Sequence, residues 1–141
     1  MCIAGEGPRR DRLMQQIARS RHPDRVELCG HVLDMGGFFA SLDMFVLSSL
    51  REGLPNVVLE AMAMELPIVA THCGGMTEFV GDSESVVLCD PGEPQQLRDA
   101  LRPLVHSEIE RARLTAAARH HIQKFSFSHR ARQVTAIYDQ Y

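Results

Sequence analysis

The chain has 141 residues, of which 45% are apolar and 23% are charged, with a formal net charge of -3. This length and balance are typical of one soluble globular domain. Basic and acidic residues are interspersed, so the sequence lacks the concentrated basic face that a nucleic-acid-binding protein needs. No basic segment followed by an apolar run occurs, so we expect no signal peptide, and no apolar run approaches the roughly 20 residues that span a bilayer.

Apolar runs and helical spacings alternate from end to end, and turn residues separate them. In chain order they predict a strand at 1–4, a helix at 9–21, a strand at 26–28, a helix at 35–41, a strand at 44–47, a helix at 56–65, a strand at 68–70, a helix at 76–80, a strand at 86–88, and helices from about 95, from 109 to 124 and onward to about 138. This alternation with short connections predicts an α/β fold, a doubly wound parallel sheet of the Rossmann-like kind.

Some of these segments carry more detailed expectations. The run at 44–47 predicts a strand buried on both faces, and the helix at 56–65, apolar nearly all round, predicts a buried helix. Pro103 predicts a kink or an end in its helix. Ser107 with Glu110 forms a capping-box pattern, and Ser126 or Ser128 can cap the last helix. His120 and His121 lie among basic residues on a helix, which predicts that both are exposed.

The four cysteines, Cys2, Cys29, Cys73 and Cys89, form no CxxC pair, and each lies in or beside an apolar run. This pattern favours reduced, buried thiols in a cytoplasmic protein over a disulfide framework or a zinc site. Neighbouring residues on a strand point to opposite faces, so His72 and Cys73 are poorly placed to chelate a metal together. We therefore predict no metal site.

The segment from Arg51 to Ala63 is the most informative part of the sequence. It follows a buried strand and opens a helix, and in doubly wound folds ligands bind beyond the carboxyl ends of the strands. The first turn of a helix has backbone N–H groups without intrahelical acceptors and a partial positive charge, which suits a diphosphate. Gly53 allows the backbone to approach a ligand closely.

Glu60 is the first charged side chain on this helix, and the next is Glu65. Burial of a carboxylate without partners is very costly, so Glu60 must reach solvent, a donor or a ligand. A ribose with vicinal hydroxyls would supply two donors. A structural hydrogen bond to a neighbouring loop would satisfy the carboxylate equally well.

The segment EGLPNVVLEAMAMELPIVATHCGG resembles the donor-site motif of retaining glycosyltransferases of family 4, which have the GT-B fold. Its core is an E-x7-E pair, here Glu52 and Glu60. Four other segments match the family in the same order: CIAGEGP at 2–8, VELCGHV at 26–32, DMFVLSS at 43–49 and FSF at 125–127. The chain is thereby identified as resembling the C-terminal, nucleotide-sugar-binding domain of such an enzyme over nearly its whole length.

The resemblance implies a role for each matching residue. Glu52 would bind hydroxyls of the transferred sugar and Glu60 the ribose hydroxyls. Backbone N–H groups would face the sugar and the diphosphate, and two residues after the second strand would line the base pocket. The remaining implied donor-binding residues are Gly53, Leu54, Pro55, Asn56, Val57 and Val58 on the motif, with Val32 and Leu33 at the base. The substrate would be a UDP- or GDP-sugar, with retained anomeric configuration, no further cofactor and no metal, and no D-x-D sequence occurs here.

The sequence departs from the family at several points. Glu65 stands where the family usually has a glycine, which suits a left-handed helix terminus, and Ser85 replaces another common glycine. The chain begins with a strand already under way, so we expect a truncated protein that lacks the first strand of this domain, its diphosphate-clasping basic residues and the N-terminal acceptor-binding domain. Such a chain would bind nucleotide weakly and catalyse nothing alone. Two further hypotheses concern partners. The chain self-associates through exposed strand edges, and the full enzyme attaches peripherally to the inner face of the membrane.

Three other functions compete with this interpretation. A nicotinamide or flavin dinucleotide module needs G-x-G-x-x-G, but Arg10 stands where the third glycine belongs after Gly5 and Gly7. A non-catalytic nucleotide-binding or interaction module left by truncation is disfavoured by the intact Glu52 and Glu60. A sugar-nucleotide epimerase of the same architecture is disfavoured by the E-x7-E context.

Overall fold

A computed structural model describes residues 1–53 and 56–138 of the chain. The chain divides into two compact units, Met1–Ala40 and Ser41–Tyr141. Each has its own parallel sheet, of two strands in the first unit and three in the second. The α/β class and the parallel pairing predicted from the sequence are therefore confirmed.

The first unit alternates strand and helix along its length. Its elements are β1 (Cys2–Ala4), α1 (Arg10–Ala18), a 3-10 turn (Pro23–Arg25), β2 (Glu27–Gly30) and α2 (Met35–Ala40). The two strands pair in parallel, with Cys2 opposite Glu27 and a register shift between Ile3 and Ala4. The backbone N–H of Gly5 donates to the carbonyl oxygen of Gly30 at 2.7 Å, which holds the two strand ends together.

The second unit has a three-stranded parallel sheet in the order β3-β4-β5. Its elements are β3 (Phe45–Leu47), α3 (Asn56–Ala63), β4 (Ile68–Thr71), α4 (Met76–Val80), β5 (Val87–Cys89), α5 (Pro94–His106), α6 (Glu108–Ile122), a 3-10 turn (Gln123–Phe125) and α7 (Phe127–Tyr138). All four residues of the central strand β4 are buried. This strand therefore fixes the positions of the loops at its two ends.

Helix α5 continues through Pro103, so the proline does not end the helix there. Its apolar face packs on the sheet. Buried Leu104 lies in one cluster with Val69, Cys89 and Leu114, and Leu97, Ala100 and Leu101 pack against that cluster. Proline removes one backbone hydrogen bond from the helix, and burial of this apolar face offsets the loss.

Burial differs from the prediction in two central elements. Val46 of β3 is 37% exposed, so the strand is not buried on both faces. Phe45 and Leu47 share the better-covered face because side chains alternate along a strand. Helix α3 buries Val58, Ala61 and Met62 but exposes other positions, so the expectation of a helix buried all round was also wrong.

His121 is buried, which contradicts its predicted exposure. Its ring packs against those of Phe79 and Phe125, with centroids 5.4 and 5.3 Å away, and its Nε2 is 2.7 Å from the carbonyl oxygen of Phe79. Aromatic contacts and one hydrogen bond thus favour burial of a residue that its basic neighbours suggested was solvated. His120, beside it, is exposed as predicted.

The predicted helix caps and thiol states can also be compared with the structure. Ser107 Oγ accepts a hydrogen bond from the Glu110 N–H at 3.2 Å, and Ser126 Oγ accepts one from the His129 N–H at 3.3 Å, which confirms these two caps. All four cysteines are free thiols. Cys73 and Cys89 are buried as predicted, but Cys29 is only half-buried and Cys2, on β1, is exposed, so the predicted burial was wrong for these two.

Candidate functional site

The carboxyl ends of β3, β4 and β5 meet at one edge of the second unit's sheet. Residues 48–53 follow β3, residues 72–75 follow β4, and Asp90 follows β5. In open α/β sheets this edge is where ligands bind. Among the described residues, hydrogen bonds also connect the loops at this edge to one another.

A serine in the same loop orients the carboxylate of Glu52. Ser49 Oγ donates to Glu52 Oε1 at 2.7 Å. Thr71, only 3% exposed at the end of β4, places its hydroxyl 2.5 Å from the carbonyl oxygen of Ser49 and 3.4 Å from that of Leu47. A hydroxyl has one proton to donate, so the shorter contact to Ser49 is the effective bond. The central strand thereby positions Ser49, and Ser49 orients Glu52.

Two glycines after β4 hold the backbone of the same loop. The N–H of Gly75 donates to the carbonyl oxygen of Gly53 at 3.1 Å. Gly74 has a φ of +56°, and a Cβ at this position would lie 1.6 Å from the carbonyl oxygen of Glu52. Both the left-handed backbone and the lack of space therefore require glycine at 74.

Helix α3 begins at Asn56, three residues after Gly53. Val57 is half-buried and Val58 fully buried, so any contact of Val58 with a ligand must come from its backbone. Glu60 lies one turn into the helix, on the same side as Asn56, and both are exposed. The carboxylate of Glu60 thus reaches solvent, one of the three outcomes that its isolation on the helix allowed.

The other predicted binding residues are placed as follows. Leu54 and Pro55 lie outside the described residues. Val32 and Leu33 belong to the first unit, just past β2, where Val32 is half-buried and Leu33 is 90% exposed. The structure thus joins Glu52 and Gly53 to the turn after β4 and places α3 directly beyond them in the chain.

A histidine and an aspartate pair at the same edge, and sequence reasoning did not connect them. His72 Nε2 lies 2.5 Å from Asp90 Oδ1, and Gln96 Nε2 donates to Asp90 Oδ2 at 2.8 Å. The hydrogen bond from Gln96 and then the one from His72 lower the pKa of the Asp90 carboxyl. The pair ties the loop after β4 to the loop after β5.

Sequence reasoning also missed the supporting roles of Ser49, Thr71 and Gly74. The turn at Gly74 and Gly75 contacts the loop after β3, and no local sequence pattern indicated that contact. One usable signal was present, because each polar residue directly follows or ends an apolar strand. Residues at the carboxyl ends of neighbouring parallel strands meet at one edge, whatever their separation in sequence.

Two further features are built from residues outside these loops. An open cavity of about 500 Å³ occurs near the amino ends of β3 and β4, lined by Asp43, Pro67, Glu108, Arg111, Ala112, Thr115, Ala116 and Arg119. Within the described ranges, the one group of three potential metal ligands is Cys2, Glu27 and Cys29, in the first unit. Of the helices in those ranges, none has the length and hydropathy needed to cross a membrane.

Comparison with known proteins agrees with this architecture. The family "Glycosyl transferases group 1" matches residues 1–107. The lipopolysaccharide core biosynthesis glycosyltransferase LpsE of Rhizobium meliloti is 33% identical over 112 residues, which are 79% of this chain and 33% of that protein. The structure of HepE from Anabaena in complex with UDP aligns with a TM-score of 0.85 at 25% identity, over 99% of this chain and 40% of HepE.

The chain belongs to the glycosyl transferases group 1 family. The C-terminal domain of the family protein LpcC from Francisella tularensis shares its fold, with a TM-score of 0.77 at 24% identity, over 86% of this chain and 66% of that domain structure. The similarity to a GT-B C-terminal domain inferred from the motifs is thus confirmed. The chain spans about a quarter to a third of the length of the curated relatives that it matches, from 23% to 33%.

Proposed function

We propose that this chain binds the nucleotide-sugar donor of a retaining glycosyltransferase. The complete enzyme transfers a hexose from a UDP- or GDP-sugar to a glycan or lipid-linked acceptor. The observation that carries the proposal is the position of Glu52. Its carboxylate is oriented by Ser49 at the carboxyl edge of the sheet, four residues before the exposed start of α3.

The proposed roles follow the order of these groups along the chain. Glu52 accepts hydrogen bonds from hydroxyls of the transferred sugar, and the first turn of α3 presents N–H groups to the diphosphate. Glu60, exposed on α3, accepts hydrogen bonds from the ribose hydroxyls. Val32 and Leu33 contact the base. A carboxylate accepts such hydrogen bonds with about twice the strength of a neutral acceptor. Both glutamates therefore favour a ligand that is rich in hydroxyls.

Names of relatives support the class of substrate. HepE has been crystallised with UDP and with UDP-glucose, and LpsE acts in lipopolysaccharide core biosynthesis. A nucleotide-sugar donor and a glycan or lipid-linked acceptor are therefore the natural choices. The proposal needs no metal, since backbone N–H groups of α3 and basic side chains of the whole enzyme would stabilise the leaving diphosphate.

The described residues include few groups at this edge that could neutralise a diphosphate. In the loops after β3, β4 and β5, Arg51 and His72 are the basic side chains, and His72 already contacts Asp90. A diphosphate binds more weakly when few basic groups of the protein compensate its negative charge. We therefore propose that the 141-residue chain binds the donor weakly and transfers no sugar without the rest of the enzyme.

Ligand-observed NMR with UDP- and GDP-sugars tests the proposal. We expect saturation transfer to ribose, sugar and base protons at millimolar ligand. Glu60→Gln should reduce the ribose signals, and Glu52→Gln those of the hexose, since each amide loses a charged acceptor. Glu108→Gln is the matched control, because Glu108 is also exposed but lines the cavity near the other ends of the strands.

Three results would contradict parts of this proposal. Absence of saturation transfer from the wild-type chain to millimolar ligand would show that the chain does not bind the donor. Equal ribose signals in wild type and Glu60→Gln would show that Glu60 does not contact the ribose. A micromolar or tighter dissociation constant, or sugar transfer by the chain alone, would show that the diphosphate needs no groups beyond those present here.

A further inference from the structure

One face of the β1–β2 pair carries three side chains that are chemically suited to a metal ion. Cys2 on β1 is directly opposite Glu27 on β2. Cys29 lies two residues beyond Glu27 on β2, and residues two apart on a strand point to the same face. The parallel register therefore brings two thiols and one carboxylate together from sequence positions 25 and 27 residues apart.

The distances between the donor atoms are short. The Sγ atoms of Cys2 and Cys29 and a carboxylate oxygen of Glu27 all lie within 4.8 Å of one another. In a tetrahedral zinc site, bond lengths near 2.3 Å to sulfur and 2.0 Å to oxygen place the donors about 3.5 to 3.8 Å apart. The distances between donors therefore need to shorten by at most about 1.3 Å. Cys2 and Glu27 are exposed, so side-chain rotation provides this movement without repacking a core.

The donor set selects the class of metal. Thiolate sulfur favours soft or borderline cations such as Zn²⁺ over Mg²⁺ and Ca²⁺, which prefer oxygen ligands. Glu27 forms no salt bridge with any described residue, so its charge is available to a cation. Three protein ligands leave the fourth tetrahedral position open to water.

We propose that Cys2, Glu27 and Cys29 bind a thiophilic divalent cation of the zinc class on the exposed face of the β1–β2 pair. The ion cross-links the two strands and stabilises their register. None of the three ligands belongs to the proposed donor site, so this inference stands or falls independently of it. It departs from the sequence-based prediction of no metal, which compared only cysteines and histidines close together along the chain.

Titration of the reduced, metal-free 141-residue chain with Co²⁺ and Cd²⁺ tests the site. One equivalent of Co²⁺ should produce a thiolate-to-cobalt charge-transfer band and the visible bands of tetrahedral cobalt, and Zn²⁺ should displace it. Cys2→Ser and Cys29→Ser should lose the charge-transfer band. Glu27→Gln keeps both thiols but loses a ligand. Loss of an outer-shell partner alone lowers metal affinity roughly 10- to 100-fold, so the affinity of this variant for cobalt should fall by at least that much.

Cys73→Ser is the control, because Cys73 is a free thiol outside the cluster and its variant should bind cobalt like the wild type. Circular dichroism identifies any variant that fails to fold. Glu27→Gln alters an exposed side chain only, so it remains informative if a cysteine variant is unstable. Absence of a charge-transfer band in the reduced wild type would overturn the proposal. So would a band that survives in both cysteine variants, or a reduced thiol pair that forms a disulfide in air but binds no added metal.

Discussion

Two residues with left-handed backbones flank the central strand β4, and only one of them is a glycine. Glu65 precedes the strand with a φ of 58°, and Gly74 follows it with a φ of 56°. At Gly74 a Cβ would collide with the carbonyl oxygen of Glu52. At Glu65 the side chain is exposed and pairs with Arg119, while Thr115 Oγ1 donates to the Glu65 carbonyl oxygen at 3.2 Å.

The helix end before β4 explains why a side chain is tolerated there. The Leu66 N–H donates to the carbonyl oxygen of Ala61, and the Glu65 N–H donates to that of Met62, both at 3.0 Å. This is the Schellman arrangement, in which the left-handed residue is usually glycine. A glutamate there carries the local cost of a left-handed L-residue, about 1–2 kcal/mol, but no clash. The amino edge of the sheet thus tolerates a departure that the carboxyl edge, where the candidate site lies, does not.

The largest expected effect is that of Gly74→Ala. The alanine adds both the left-handed backbone penalty and a collision that only a shift of the Glu52 loop can relieve, so the free energy of unfolding should fall by at least about 2 kcal/mol. Urea unfolding measures this change. The donor signals in ligand-observed NMR should disappear with the displaced loop.

Alanine substitutions at two other glycines separate the backbone penalty from the collision at Gly74. Gly92 has a φ of +83° with nothing within 4 Å of the added Cβ, so Gly92→Ala reports the backbone penalty alone. Gly75 does not have a left-handed φ, and its Cβ would lie 3.3 Å from the Gly53 carbonyl oxygen, so Gly75→Ala reports a mild contact. If Gly74→Ala destabilises no more than Gly92→Ala, the close approach to Glu52 does not constrain this site.

A smaller effect is expected at Thr71, which links the central strand to the site loop. Thr71→Val keeps the shape of the side chain but leaves the Ser49 carbonyl oxygen without its donor, at a cost of about 1–3 kcal/mol. Because Ser49 orients Glu52, the hexose signals in the donor NMR experiment should weaken more than the base signals. Urea unfolding gives the stability change.

Thr71→Ser is the matched control, since it retains the hydroxyl and should preserve the relative hexose and base signals. It removes one buried methyl group, so a loss of about 1 kcal/mol in stability is expected there too. Hexose signals that weaken equally in the serine and valine variants would show that the hydroxyl does not position Glu52.

The same contrast shows what sequence could and could not predict. Hydrophobic periodicity located every strand to within about two residues, because a short apolar run bounded by turn residues and helices is typical of a strand buried in a parallel sheet. Caps at Ser107 and Ser126 were predictable since their chemistry is local. The positive φ at Glu65 was anticipated from the resemblance alone, which marked a position where relatives have glycine.

Contacts between distant segments were the part that local patterns missed. Burial of His121 depends on Phe79, which lies 42 residues away, and no periodicity within α6 reveals it. The support of Glu52 by Thr71 and Gly74 crosses from one strand end to the next, and the cluster of Cys2 with Cys29 depends on strand register. The motif indicated Glu52 and Glu60 as candidate site residues, while the hydrogen bonds that orient Glu52 required the tertiary structure.

The smallest expected effect is at Glu65, where it should have the opposite sign. Glu65→Gly removes the left-handed penalty and loses an exposed ion pair worth about 0–1 kcal/mol, so the chain should gain about 0.5–1 kcal/mol in stability. Glu65→Ala keeps the penalty and loses the pair, so it should be about 1 kcal/mol less stable than the glycine variant. Glu84, with a φ of 49° and an ion pair to Arg113, offers a second position for the same test. A glycine variant no more stable than its alanine counterpart at both positions would mean that these backbones carry no strain, and that the glycine at 74 is required by space alone.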